Sequence, residues 1–346
     1  MAEILFVAVL ALIPGLMFFW GFKALPNENW QMLAAVPLVK SENGWHGLNL
    51  LWYGFFIATA TIFGLTVAYI LLRSAGVPML SILVSAMVVL ALCLPSAAIL
   101  ARIIEGKKHT FTVGGASFIG IIAAPWIFSA MNSLESLKFN APVMAVLAAV
   151  LIGYAFGEGM GRLACISFGC CYGKPLIECS APVRKIFGGF HFVFHGKTKK
   201  IAYSQGFDGH RVVPIQAITA IVLTITGIAG TVMFLSGAFT VSFVYTVCAT
   251  QIWRVLSEFL RADFRGRQKF SAYQIMALIA LASSFAAAYL IKSYPVPVNI
   301  TAGISSLWCP GTIIFLQASW LAAFLSTGRS SVTASKIHFH VIQDKV

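Results

Sequence analysis

The chain has 346 residues, of which 59% are hydrophobic and only 10% are charged, and its formal net charge is +13. Soluble domains carry about 25% charged residues, so this composition excludes an ordinary soluble fold and predicts a protein whose apolar surface faces lipid. It also excludes a nucleic-acid-binding protein, because no stretch is long enough to form the basic soluble module that such binding needs.

Nine segments of the chain are long and apolar enough to cross a bilayer, which takes about 20 residues. In chain order they are Ile4–Phe22, Leu50–Leu72, Met79–Leu100, Val113–Ala130, Pro142–Met160, Pro214–Leu235, Thr240–Leu260, Ser271–Ile291 and Gly303–Leu325. We therefore predict an all-α polytopic, integral membrane protein with about nine transmembrane helices.

The stretch between the fifth and sixth predicted helices, Gly161–Val213, is too polar to span. Within it, FGGFHFVFHG (Phe187–Gly196) alternates apolar and polar residues, which predicts a short strand pair with a turn at Gly196. We expect a small head of mixed strand and loop between helices five and six. The chain then divides into residues 1–112 with helices 1–3, a core at 113–291 that includes the head at 161–213, and an additional helix with a polar tail at 292–346.

Basic residues are distributed unevenly between the two sides that nine alternating helices define. One side holds Arg73, Lys138 and Lys292, and nearly all the others fall on the side of the head. Short loops rich in Lys and Arg stay in the cytoplasm. The pattern predicts an N-terminus outside and a head in the cytosol.

Charged residues inside membrane helices are costly and therefore point to function. Arg254 and Glu258 lie four residues apart in IWRVLSEFLRAD, on one helical face, and Glu158 and Arg162 repeat this spacing in GEGMGR. Each pair could simply neutralise itself near the lipid headgroups. The functional interpretation is that two arginines from different helices converge on a lipid phosphate, which the planar guanidinium binds through two oxygens at once.

Glycines flank these charges at two places in the sequence. Gly114 and Gly115 begin the fourth predicted helix in VGGASFIG, and Gly161 directly precedes Arg162. Glycines in membrane helices most often serve close helix packing, but they also let a lipid headgroup approach the backbone.

Four motifs together resemble the prolipoprotein diacylglyceryl transferase family over about Val113 to Ile291. They are GRLACISFGCCYGKP at Gly161–Pro175, the VGG at Val113–Gly115, the PIQ at Pro214–Gln216, and the R-x-x-x-E-F-x-R pattern formed by Arg254, Glu258, Phe259 and Arg261. The first of these resembles the family's hallmark, and we call it the hallmark segment. The resemblance implies a multi-pass enzyme of the bacterial inner membrane that moves the diacylglyceryl group of phosphatidylglycerol to a lipoprotein cysteine thiol, with no cofactor.

The same resemblance implies roles for individual residues. Those expected to be catalytic are Arg162, Arg254 and Glu258. Those expected to bind substrate, an anionic phospholipid and a lipoprotein precursor, are Gly114, Gly115, Glu158, Gly161, Cys165, Cys170, Tyr172, Gln216 and Arg261.

The sequence departs from the family pattern where a proton acceptor is needed. Val113 and Val213 stand where the family has histidines, while Cys165 and Cys170 replace an asparagine and a glutamate of the hallmark. Attack by a thiol needs a base, and Glu258, Glu158 and His210 are the remaining candidates. Two alternatives therefore stay open: a different lipid or glycerol-phosphate transferase on the same scaffold, and a non-catalytic lipid-binding or transport protein.

A cysteine cluster, C-x4-C-C-x7-C, occupies the hallmark at Cys165, Cys170, Cys171 and Cys179. This is not a regular zinc or iron–sulfur spacing, so no metal site is predicted. Metal binding and a role as thiol acceptor are alternatives to the favoured interpretation, which is that these are structural thiols near the lipid interface.

Overall fold

A computed structural model describes residues 1–106, 113–263 and 270–346, without the side chains of residues 105 and 331–334. Its helices, in chain order, are α1 (Ala2–Ala24), α2 (Trp52–Ser74), α3 (Met79–Glu105), α4 (Val113–Asn132), α5 (Val143–Phe168), α6 (Ala181–Phe187), α7 (Lys200–Gln205), α8 (Ile215–Leu235), α9 (Phe239–Glu258), α10 (Ala272–Leu290), α11 (Ile300–Ser305) and α12 (Pro310–Thr327). Its strands are β1 (Met32–Ser41), β2 (Gly44–Leu51), β3 (Phe192–Val193), β4 (Arg211–Val212) and β5 (Arg329–Ile337).

Within the described ranges, nine helices are long and apolar enough to cross a membrane, namely α1 to α5, α8 to α10 and α12. The prediction of an all-α polytopic membrane protein with about nine spans is confirmed. Two boundaries differ most from the expectation. Helix α5 continues past Met160 to Phe168, because the residues that follow, apart from Arg162, are small or apolar and most of them are buried. Helix α12 begins only at Pro310, which occupies its first turn, where a missing N–H costs nothing.

Helix α5 is the most deeply buried of the spans and forms the centre of the bundle. It packs closely on α2 because glycines face each other there: a Cβ on Gly153 would lie 2.6 Å from the carbonyl oxygen of Gly64. Any larger residue at either position would force the two backbones apart. This close packing fixes the helix that carries Glu158 and Arg162.

The head after α5 contains α6, α7 and a two-stranded sheet in which β3 pairs with β4. The prediction that the strand before Gly196 pairs with the residues just after this turn was therefore wrong. Phe192 pairs instead with Val212, further along the chain. The head packs on the end of α1, where Lys199 Nζ donates to the carbonyls of Leu25, at 3.1 Å, and Ser167, at 2.7 Å.

A three-stranded antiparallel sheet, in the order β1-β2-β5, lies outside the predicted head. The β1–β2 hairpin connects α1 to α2, and β5 follows α12. The polar tail thus adds a strand to this sheet, with Trp45 opposite Ile337. Eight of the candidate spans in the described ranges lie between β2 and β5, and an even number is needed for the two strands to lie on the same side of the membrane and pair.

Candidate functional site

Glu158 on α5 accepts hydrogen bonds from two arginines that lie on different helices, α5 and α9. Its Oε1 accepts a hydrogen bond from Arg162, one turn further along α5, and its Oε2 accepts from Arg254 Nη2 of α9 at 2.8 Å. Tyr154, one turn before Glu158, donates its hydroxyl to the same carboxylate and accepts from Arg254 Nη2 at 2.6 Å. The structure thus brings Arg162 and Arg254 together around one carboxylate.

This cluster is buried and carries net positive charge. The side chain of Glu158 is only 5% exposed, and those of Arg162 and Arg254 are 12% and 15% exposed. One carboxylate balances one of the two guanidinium groups, so one positive charge remains. Uncompensated charge at such depth is costly, which favours the binding of an anion between the arginines.

Two donors of the arginines point to the same conclusion. The Nε atoms of Arg162 and Arg254 are buried and have no hydrogen-bond partner among the described residues. A buried N–H without an acceptor costs free energy, and a guanidinium carries five N–H groups in a fixed fork that matches phosphate or carboxylate oxygens. We call the cluster of Tyr154, Glu158, Arg162 and Arg254 the arginine pocket.

Gly114 on α4 leaves space for the arginine pocket. A Cβ at this position would lie 3.0 Å from Arg254 Nη1 and 2.9 Å from the ring of Tyr273. Gly115 is also buried in the first turn of α4. Gly161 faces elsewhere, since a Cβ there would meet Ala60 and Ile57 of α2 at 3.9 Å.

Glu258 does not pair with Arg254. Its Oε1 lies 3.9 Å from Nε of Arg261, and Arg261 also binds both carboxylate oxygens of Asp263 at 2.8 Å. Burial acts to lower the pKa of Arg261, but the Asp263 carboxylate overcomes this and holds that pKa well above its usual value. The alternative in which Arg254 and Glu258 neutralise each other is therefore not what the structure shows, because Glu158 of α5 pairs with Arg254.

Tyr172 and Gln216 hold the hallmark segment against its neighbours. The Tyr172 hydroxyl lies 2.9 Å from Ser204 Oγ in the head, and Gln216 Nε2 donates to the carbonyl of Cys170 at 2.9 Å. Backbone hydrogen bonds from Ala262 to Tyr172 and from Lys174 to Leu260 connect the same segment to the end of α9. These contacts hold the hallmark segment, which begins just before Arg162, against the head and the end of α9.

The hallmark cysteines meet at the end of α5. The sulfur atoms of Cys165, Cys170 and Cys171 all lie within 4.8 Å of one another, whereas Cys179 stands apart and donates to the carbonyl of Pro175. Cys165 and Cys170 are each 8% exposed.

Sequence reasoning missed two members of the site, Tyr154 and Asp263. Tyr154 precedes Glu158 by one helical turn, so its hydroxyl could have been placed on the same face from spacing alone. Asp263 follows Arg261 by two residues in an otherwise basic loop, and its pairing depends on the turn after α9.

Nine candidate spans within the described ranges, and a buried cluster of two arginines around one glutamate, define an integral membrane protein with charged side chains inside its helix bundle. The family model described as prolipoprotein diacylglyceryl transferase matches residues 44–290, and the chain belongs to this transferase family. A search of curated proteins finds no match.

Proposed function

We propose that the chain transfers a diacylglyceryl group from a phosphatidylglycerol-like anionic phospholipid to a thiol acceptor, in a bacterial inner membrane. The observation that carries this proposal is the arginine pocket, in which Arg162 and Arg254 converge on Glu158 and keep their Nε donors for a further acceptor. The family match supports a lipid-directed transferase and is compatible with this donor.

The pocket suits the leaving group of such a reaction. The acceptor sulfur forms a bond to the glycerol carbon of the diacylglyceryl group, the bond from that carbon to the phosphate oxygen breaks, and glycerol phosphate departs with the electron pair. Arg162 and Arg254 would bind this phosphate, and charge-assisted hydrogen bonds are about twice as strong as neutral ones. Donors fixed where negative charge develops act mainly on the transition state.

The proton of the acceptor thiol must leave as the new bond forms. Glu158 accepts three hydrogen bonds, which weakens it as a base, and Glu258 lies beside Arg261 at 3.9 Å. Glu258 would therefore orient Arg261, or take the proton when substrate displaces that pairing. The acceptor in this proposal is a lipoprotein precursor with an accessible cysteine.

The engagement of both glutamates with arginines also favours a second candidate, a protein that binds anionic lipid without turnover. A transferase that uses another acceptor is the third. One experiment separates all three: the chain is expressed in a strain depleted of its own diacylglyceryl transferase, and the purified protein is given labelled phosphatidylglycerol. Growth rescue supports the proposed function. Turnover without rescue indicates another acceptor, and retention without turnover indicates a binding protein.

A further inference from the structure

Three sulfur atoms occupy a small volume where α5 ends, although their spacing in the sequence predicts no metal site. Cys165 lies on the last turns of α5, and Cys170 and Cys171 follow the helix directly. All three sulfurs lie within 4.8 Å of one another. In the part of the chain that the structure describes, no histidine, aspartate, glutamate or fourth cysteine joins this group.

The backbone at the helix end brings two of these residues together. Gly169 ends α5 with a φ of +69°, the N–H of Cys170 donates to the carbonyl of Cys165 at 3.0 Å, and the N–H of Gly169 donates to the carbonyl of Ile166 at 3.2 Å. This is the Schellman motif, which commonly places the two side chains corresponding to Cys165 and Cys170 in contact. An apolar contact of this kind would be enough to explain why Cys165 and Cys170 lie together.

The third cysteine needs a different explanation. Cys171 has a φ of +55°, a left-handed conformation that is uncommon for residues other than glycine, asparagine and aspartate. Conformations of this kind persist where surrounding structure holds them, and they cluster at sites that bind ligands. Here the conformation accompanies a sulfur that joins the other two.

We propose that Cys165, Cys170 and Cys171 bind one divalent thiophilic metal ion of the zinc class. Zn–S bonds of about 2.3 Å require sulfurs that are roughly 3.8–4.0 Å apart, so the observed cluster needs only a small contraction. Thiolates are the ligands that select zinc and other soft ions from the metals available to a cell. Three protein ligands leave the fourth position of a tetrahedral zinc ion open.

The surrounding charge is compatible with such an ion. Three thiolates and a divalent cation carry a net charge of −1. Arg162 interacts electrostatically with Cys165 and Cys171, and Lys200 with Cys170 and Cys171. Positive side chains next to the cluster would balance the net negative charge of the ion and its three ligands.

An open position next to the arginine pocket also suggests what the ion does, and this step rests on the proposed function. A thiol that coordinates a metal ion gives up its proton to become a thiolate. The ion would bind the acceptor thiol in its nucleophilic form beside Arg162, which holds the lipid phosphate. The proton of the thiol would pass to water as the thiol binds the ion, so no glutamate in the pocket would have to accept it.

The test is zinc binding by the purified, reduced full chain, measured by titration against a chromophoric chelator, with cadmium as a spectroscopic probe of thiolate coordination. We expect one zinc ion per chain. Cys165→Ser, Cys170→Ser and Cys171→Ser should each weaken binding by about tenfold or more, since the loss of a group that only supports a ligand already costs that much. Cys179→Ser is the matched control and should bind zinc like the unaltered chain.

A second measurement does not depend on the variants folding. Zinc should protect Cys165, Cys170 and Cys171 of the unaltered protein from alkylation and leave Cys179 reactive, as mapped by mass spectrometry. Absence of stoichiometric binding, or equal protection of Cys179, would overturn the proposal. Both readouts are independent of turnover, so zinc binding without lipid transfer would refute only the proposed function.

Discussion

Arg254 on α9 donates to Glu158 on α5 across 2.8 Å, and the same carboxylate is bound by Arg162 one turn away. Two helices that are distant in sequence are thereby joined through one buried carboxylate. This arrangement has consequences for stability as well as for function.

Glu158→Gln should destabilise the protein strongly. Removal of one partner from a buried ion cluster leaves uncompensated charge and costs about 3–5 kcal/mol. The measurement is the free energy of unfolding in detergent, by denaturant titration. The matched control is Glu135→Gln, because Glu135 pairs with Lys138 at an exposed site where such pairs contribute at most about 1 kcal/mol. Equal stability of the two variants would show that Glu158 does not join the helices.

Gly114→Ala should impair lipid transfer more than stability. The added Cβ would crowd Arg254 Nη1 and the Tyr273 ring at about 3 Å, so the guanidinium must move. A displacement of about 1 Å at a binding group can cost up to roughly 100-fold in rate. Gly15→Ala on α1 meets no atom within 4 Å and serves as the control. Equal transfer rates for these two variants would exclude Gly114 from the pocket.

Lys199 should make the stability of the protein depend on alkaline pH. Its burial lowers the pKa of the amine to about 8 from 10.5, against the opposing effect of Glu28. Between these values the unfolded chain binds more protons than the folded one, so stability should rise with pH from about 8 to 10.5 and then level off. The rise can reach about 3 kcal/mol.

Thermal unfolding over this pH range would measure the effect, and Lys199→Met should remove the rise. If the variant retained the same pH dependence, another group would be responsible. Below pH 8 both states are protonated, so no change from Lys199 is expected there.

The side of the membrane that the head faces is open to a direct test. A cytosolic head is favoured by four basic residues in short loops, Lys107, Lys108, Arg265 and Arg267. These residues lie outside the described ranges. We expect a cysteine introduced by Ser180→Cys, in a chain without Cys179 and Cys309, to react with a membrane-impermeant thiol reagent only after spheroplasts are permeabilised.

Ser136→Cys, in the connection between α4 and α5 on the opposite side, should react in intact spheroplasts. Both serines are exposed. The reverse pattern would place the head outside, where a lipoprotein precursor presents its cysteine, and would show that this chain does not follow the charge rule.

Some of this architecture follows from the sequence and some does not. The nine spans found in the described part of the chain were predictable because their length and hydropathy are local properties. The approach of Arg162 to Arg254 was predictable from the cost of charge in a membrane. Arg254 pairs with Glu158 rather than Glu258 because of how α5 and α9 pack, and the spacing of residues within one helix does not reveal that packing.

The strand pairs were harder to predict for the same reason. Pairing of β2 with β5 joins the two ends of the chain, and a short alternating stretch does not identify its partner. The cysteine cluster, by contrast, was partly predictable from the sequence. Gly169 marks a helix end, and the motif that it forms places Cys165 next to Cys170.

The central claim is that the arginine pocket holds the phosphate of the donor lipid during transfer. The most direct measurement is the release of labelled glycerol phosphate from phosphatidylglycerol by the purified protein with a cysteine peptide. We predict that Arg162→Ala and Arg254→Ala each lower this rate by about 100-fold or more, the usual cost of removing a donor that acts on developing charge. Arg73→Ala, an arginine that donates to the carbonyl of Val77 at the other end of the bundle, should leave it unchanged. Release by Arg162→Ala at the rate of the unaltered chain would contradict the account.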